Sequence, residues 1–441
     1  MMRPLLVAVV GCSAPSPPAE ISCAQKGDNV LLYNCSAVAE AGDRVTLSLP
    51  TGEEREVDDV RAEAGKLLFS LWRLHEKTSY IVRVDRARGP SLSATVTTDS
   101  LPEGLSNQAG ATGDLLATHL LLPQLCGGTH IVLLDESGRV VWYVPVDATS
   151  FGLHYSEDDT VLAILEDTGV REWTWSQERL LDLEYGVNLD FPVHHDLARV
   201  DGETLILVAE PHEAPGGEKY VMDGVLIVDS DGLPVDHWRL ADRFDPAETD
   251  GGTTALWTER FPDHADWAHL NSIQVADGEW LMSSRTQSAV FAVRGDRKAI
   301  DYGDILWSMS PDPLAALGSD LTLSGSEPAD FVQQHHPNVN DEGDMLLFDN
   351  RSFQNSRVSK WDVDLDASSA TLVESWSMDA YCPIQGSAFP VPGGGAVATC
   401  VETREVRQFE PGNPAPTWVL SPDCDVQLGF GTRAIPLTFP P

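Results

Sequence analysis

From about residue 112 onward the chain repeats one unit: a polar residue, a strand, a D/E-G turn and a second apolar strand. The unit runs from His195 through Asp201-Gly202 into Thr204 to Val208. It returns from His269 through Asp277-Gly278 into Trp280-Leu281-Met282, and from His335 through Glu342-Gly343 into Met345 to Phe348. A weaker copy opens at His154, passes Asp159 and continues through Val161 to Leu165. Outer hairpins follow several copies, as in Val225 to Val228 around Asp231-Gly232 to Trp238. At this spacing, about 330 residues accommodate six four-stranded blades of roughly 55 residues each. Long amphipathic helices are scarce. The pattern predicts an all-β fold, a six-bladed β-propeller.

Ahead of the repeats, short apolar runs alternate with turn signals between Ile21 and Thr98. They include Val30 to Tyr33, Val45 to Leu49, Lys66 to Phe69 and Tyr80 to Val84, which predict a small β-sandwich. Met1 to Gly11 reads as a short export signal, with Arg3 as its positive start and Leu5 to Val10 as its apolar stretch. Val9-Val10-Gly11-Cys12 resembles a bacterial lipobox, which makes Cys12 the lipidated residue, and Ser13 to Pro18 an extended tether. By likeness to Gram-negative lipoproteins, Ser13 after that cysteine implies outer-membrane sorting, on the periplasmic face or the cell surface. Three regions result: 1–22, signal and tether; 23–100, sandwich; 101–441, propeller. The other cysteines are even in number, which in an exported chain favours disulfides. Cys23 with Cys35, Cys382 with Cys400 across a hairpin, and Cys126 with Cys424 are the expected pairs. No CxxC spacing offers a cysteine zinc site.

Asp and Glu number 68 against 29 Lys and Arg, a formal net charge of −39. Such a molecule repels the phosphates of a nucleic acid, which is excluded as a partner. An anionic substrate is also repelled at long range, so a site for one needs its own local positive cluster. No apolar run approaches the roughly 18 residues of a spanning helix.

In a propeller the first strand of each blade lines the channel, so residues matched in phase converge. His195, His269 and His335 each precede the glycine of their turn by seven to nine residues. Asn271 shares a strand face with His269. Arg285, on the partner strand, offers a planar fork for an oxyanion, and Gln334 stands beside His335. Strand alternation points His194 and His336 to the opposite face from their neighbours. Three histidines and an arginine suit either a transition-metal site or the transfer of an anionic group, and the arginine opposes a metal's charge.

Residues 112–412 resemble the bacterial arylsulfate sulfotransferases, six-bladed propellers preceded by a small β-sandwich. The matching stretches are Phe191 to Leu197, with His194-His195-Asp196, and Asp266-Trp267-Ala268-His269-Leu270-Asn271-Ser272. Ser284-Arg285-Thr286-Gln287-Ser288, Gln334-His335, Phe348-Asp349-Asn350 and Ser356-Arg357 complete the set. The resemblance implies that His335 is the nucleophile, transiently sulfated on its ring. It makes His269 a general acid/base and Arg285 the holder of the sulfuryl group. His195 is the further histidine, with His194 as its alternative, and Asn271 a hydrogen-bond donor. Gln385 and Ser387 are candidates for another polar contact, and Pro337 after His335-His336 departs from the pattern. The implied reaction is ping-pong transfer from an aryl sulfate to a phenol, with no metal or other cofactor. Two other readings stand beside it, a non-catalytic propeller lipoprotein that binds an anion and a metal-dependent propeller enzyme. The sequence leaves the oligomeric state, a homodimer included, open.

Overall fold

A computed structural model describes residues 21–108, 110–124, 129–248, 257, 260–312, 315–325, 328–400, 402–403, 405–421 and 433–439. Cys12 with its expected lipidation, and the expected Cys126–Cys424 pair, lie outside the described residues. The chain divides into two compact units, Met1–Ser100 and Leu101–Pro441. Apart from two 3-10 turns, Leu240–Asp242 and Pro246–Glu248, every named element among the described residues is a strand.

The first unit holds two antiparallel four-stranded sheets. One contains Ile21–Lys26 and Asn29–Ala37, where Cys23 faces Cys35 across the ladder and bonds to it. In the other, Ser79–Asp85 alternates exposed and buried residues, sinking Tyr80, Val82 and Val84. That period of two is what a strand with one wet face requires.

The second unit is propeller-like. Its described residues form six sheets, antiparallel but for the short parallel additions Ala265–Asp266 and Thr322–Gly325, and the inner strands of successive sheets touch all the way round. In the second sheet Thr160–Leu165 is buried at every position, because a central strand is covered on both faces. Leu162, Ile164, Leu197 and Ile206 pack between the second and third sheets, and Trp267, Met282 and Phe291 between the third and fourth. Each fully buried apolar side chain of this size contributes about 1.5–3 kcal/mol. The two ends of the unit close the ring twice. Ile435–Leu437 becomes the inner strand of the first sheet against His119–Pro123, and Ala111–Gly113 adds to the outer edge of the sixth. Radial repetition of this kind leaves only short, protected edges.

The inner strands break register near the channel. Irregularities fall between Ser150 and Gly152, Val193 and Leu197, Leu270 and Ser272, and His335 and Asn338. His195, His269 and His336 take positive φ angles of 53°, 50° and 54°. A non-glycine residue held there costs of order 1–3 kcal/mol, a strain that clusters at functional sites. Pro337 lies inside the last irregularity, between the paired positions His335 and Asn338. A bulge tolerates a residue without an N–H, which accounts for a proline in an inner strand.

Candidate active site

A cavity of about 300 Å³ opens where these irregular strands meet. His194, His195, His269, His335, Arg285 and Gln385 all line it. The His195 ring centroid lies 4.7 Å from that of His269 and 6.3 Å from that of His335. Residues from the third, fourth and fifth sheets therefore meet in one place. Simple alternation would send His194 away from His195, but the extra residues of the bulge turn both rings inward, with their Nδ1 atoms 3.0 Å apart. Phe151, Ile164, Val193, Trp257 and Ile384 give the cavity an apolar wall.

Each ring is held by a different partner. The Nδ1 of His335 is 2.8 Å from Asn350 Oδ1 and 3.1 Å from the carbonyl of Gln333. The amide of Asn350 donates to the carbonyls of Cys382 and Gln385, which fixes its oxygen toward the histidine. Both neighbours of Nδ1 are acceptors, so Nδ1 carries the proton and Nε2 keeps its lone pair. Burial, with Arg285 and His269 nearby, holds the His335 ring down to about 3 despite the Asn350 bond, so it is neutral at ordinary pH. His269 has a carboxylate partner instead, Asp266 Oδ2 at 2.6 Å from Nδ1. His194 Nε2 lies 3.1 Å from Asp223 Oδ1. His195 is pushed well below its ordinary value, first by burial, then by His269, His194, His335 and Arg433.

Arg285 is buried and reaches Gln333 Oε1 at 3.3 Å and the carbonyl of Pro383 at 3.4 Å. These are long contacts to neutral oxygens, so the guanidinium retains capacity for an anion. The loop that supplies the Pro383, Cys382 and Gln385 carbonyls is anchored by the Cys382–Cys400 disulfide. Among the described residues, no group of three His, Cys, Asp or Glu side chains is placed to hold a metal ion.

Several expected contacts are absent from the cavity lining. The Asn271 amide donates to the carbonyl of Gln334 at 2.7 Å. The Gln334 amide is taken by Ser283 Oγ and the carbonyls of Ser284 and Ala289. Ser387 is buried against Thr399, with its Oγ 2.8 Å from Thr399 Oγ1. These three side chains brace neighbouring strands. His336 turns to the Ala388 carbonyl and Asn338, while His154 accepts from the backbone N–H of Arg199. In the second sheet Phe151 lines the cavity, and the phased His154 does not. Sequence reasoning assigned no role to Asp266, Asn350, Asp223 or Arg433. Asp266 is three residues before His269 and Asn350 sits inside a matched stretch, so a local signal existed for both. Asp223 and Arg433 are remote in sequence and carry no motif.

Residues 127–387 match the family model described as Arylsulfotransferase (ASST). No curated protein matches the chain. Among solved structures, a protein of unknown function from Bacteroides caccae is similar at 12% identity over 73% of this chain and 99% of that one, with a TM-score of 0.41. The WD40 β-propeller domain of Doa1 shares 10% identity over 71% and 99%, and apo AztD from Citrobacter koseri 10% over 89% and 98%, each at a TM-score of 0.37. Likenesses this slight say nothing about function. The family match is of another kind: it spans more than half of the chain and contains every expected residue that lines the cavity, and on it the chain belongs to the arylsulfotransferase family.

Proposed function

We propose that this sulfotransferase moves a sulfuryl group from an aryl sulfate to an acceptor phenol through a transient sulfohistidine on His335. The observation that carries the reading is the pinned tautomer, with Nδ1–H engaged by Asn350 and Gln333 and the Nε2 lone pair left to attack. In the first half-reaction Nε2 forms a bond to sulfur as the sulfur–oxygen bond to the aryl group breaks. The phenolic oxygen leaves with the electron pair and takes a proton from His269, whose ring Asp266 orients. In the second, His269 accepts the proton of the incoming phenol, whose oxygen attacks sulfur and releases the His335 nitrogen. Charge spread over three sulfuryl oxygens calls for fixed donors, a role for Arg285 and His195. Asn350 and Gln333 stabilise the positive charge that grows on the His335 ring as it attacks. The wall of Phe151, Trp257 and Ile384 suits an aryl group.

The test is a chromogenic aryl sulfate with and without added phenol. Release that depends on phenol and disappears in His335→Asn supports transfer. Release indifferent to phenol points to a hydrolase, and none at all to a binding protein. Cys12 is the site of a lipid anchor in this reading, placing the exported chain at the outer membrane. The disulfides at Cys23–Cys35 and Cys382–Cys400 are in keeping with an oxidising compartment. Labelled palmitate that enters the parent but not Cys12→Ala supports the anchor, and equal labelling removes it.

A further inference from the structure

Arg433 is a buried cation that the chemistry above does not use. It stands two residues before Ile435–Leu437, the strand that completes the first sheet. Its side chain nevertheless serves the third and fourth sheets. Nη2 lies 3.1 Å from Asp196 Oδ2, and 3.5 and 3.4 Å from the carbonyl oxygens of His195 and Asn271. Asp196 accepts the backbone N–H of Leu197 at Oδ1 and that of Ile273 at Oδ2. One guanidinium and one carboxylate thus tie the bulge that bears His195 to the strand that follows His269. Gly152 leaves room on the other side of the same carbonyl, since a Cβ there would stand 2.8 Å from the His195 oxygen.

We propose that Arg433 is a positioning residue of the transfer site, fixing the left-handed backbone at His195 against Leu270–Ala276 and setting a positive charge behind the His195 ring. A carbonyl turned out of its ladder by a bulge needs another donor. Nη2 of the planar guanidinium reaches all three acceptors from one fixed direction, which the rotatable ammonium of a shorter lysine does not reproduce. Several groups face His195: His194 on its own strand, His269 from the fourth sheet, His335 from the fifth and Arg433 from the first. Behind them stand Asp223 at His194, Asp266 at His269 and Arg285 near His335, while Asp196 offsets part of the Arg433 charge. Arg433 also opposes protonation of His154 and His336, so its charge acts on the channel as a whole. It lies outside the residues that the family model matches, in a segment joined to the site only by ring closure.

The activity arm of the test rests on the sulfuryl-transfer reading, and the spectroscopic arm does not. The His195 imidazole is titrated by NMR in the parent, Arg433→Met and Arg433→Lys, with His195→Asn assigning its signals. In the same proteins kcat and KM are measured on an aryl sulfate with a phenol. In Arg433→Met, His195 takes its proton at higher pH than in the parent. Its kcat falls about a hundredfold, as expected for a displaced group, with a smaller change in KM. Arg433→Lys returns the titration toward the parent and restores kcat only in part. A folded Arg433→Met protein with the parent titration and kcat overturns the proposal. Should that variant not fold, Arg433→Lys decides: reduced kcat at an unchanged melting temperature supports the assignment, and parent kcat overturns it. A parent without turnover, combined with the shifted His195 titration, sinks the transfer reading and leaves the positioning role standing.

Discussion

His335 and His269 are the same side chain at the same phase of successive repeats, yet opposite kinds of partner hold them. On the His335 side the ring N–H meets neutral oxygens, those of Asn350 and Gln333. On the His269 side it meets the carboxylate of Asp266, and His194 similarly has Asp223. Neutral acceptors fix the tautomer and favour the charged ring too little to outweigh burial, so the ring stays neutral, which suits a nucleophile that must keep its lone pair. A carboxylate fixes the tautomer and also stabilises the imidazolium as it forms, which suits a group that takes and returns a proton. In the proposed reaction the partner of Nδ1, not the identity of the ring, divides the work within one cavity.

The sharpest way to break this division is to exchange the two sides. His335→Asn removes the attacking nitrogen and is expected to lower phenol-dependent turnover on the order of a thousandfold or more, measured as steady-state release. Asp266→Asn should cost about a hundredfold in kcat, with the loss growing as the leaving phenol becomes less acidic. Equal losses for all leaving groups would deny His269 the donor role. Asn350→Asp places a carboxylate beside the nucleophile. The parent His335 ring, near 3, stays neutral through pH 5–8. With the new charge it gains a proton more readily, so the acid limb of kcat/KM should move up by about one unit or more. An unmoved limb would mean that the Asn350 contact does not govern the ring.

The smallest effect is on stability. Unfolded histidines take protons near about 6.5, whereas burial holds His335 to about 3 and His154 to about 4 in the folded chain. Between those values the unfolded state binds more protons, so stability falls as pH drops from about 6.5 toward 4. Asp196 works the other way: burial raises it to about 6, so the folded state binds its proton first and gains stability over part of that window. Melting temperature against pH should therefore decline on the acid side, and more shallowly than the histidines alone would give. A melting temperature that rises on acidification would contradict neutral buried imidazoles.

The repeat carried much of this protein's organisation in plain view. Apolar runs such as Val161 to Leu165, punctuated by glycine turns, specify strands through local periodicity alone, and the phase of His195, His269 and His335 follows from that rhythm. The Cys23–Cys35 and Cys382–Cys400 pairs were accessible for the same reason, since both lie close in sequence around single turns. Asn271 and Gln334 are expected at the substrate because alternation and adjacency say which face a residue shares, not whether a neighbouring strand has already engaged its hydrogen bonds; Ser387 is a candidate by resemblance alone.

What only the tertiary structure decided is how the rings are aimed and charged. The bulge that turns His194 and His195 to the same side is a mismatch between two strands, invisible to the period of either. The partners of the rings, Asp223 for His194 and Asn350 for His335, come from a neighbouring strand and from just beyond the end of one, and Arg433 arrives from the far end of the chain when the ring closes. Periodicity is a property of neighbours along the chain. Proton placement in a buried cavity depends on neighbours through space, which for this protein a closed circle of sheets brings together.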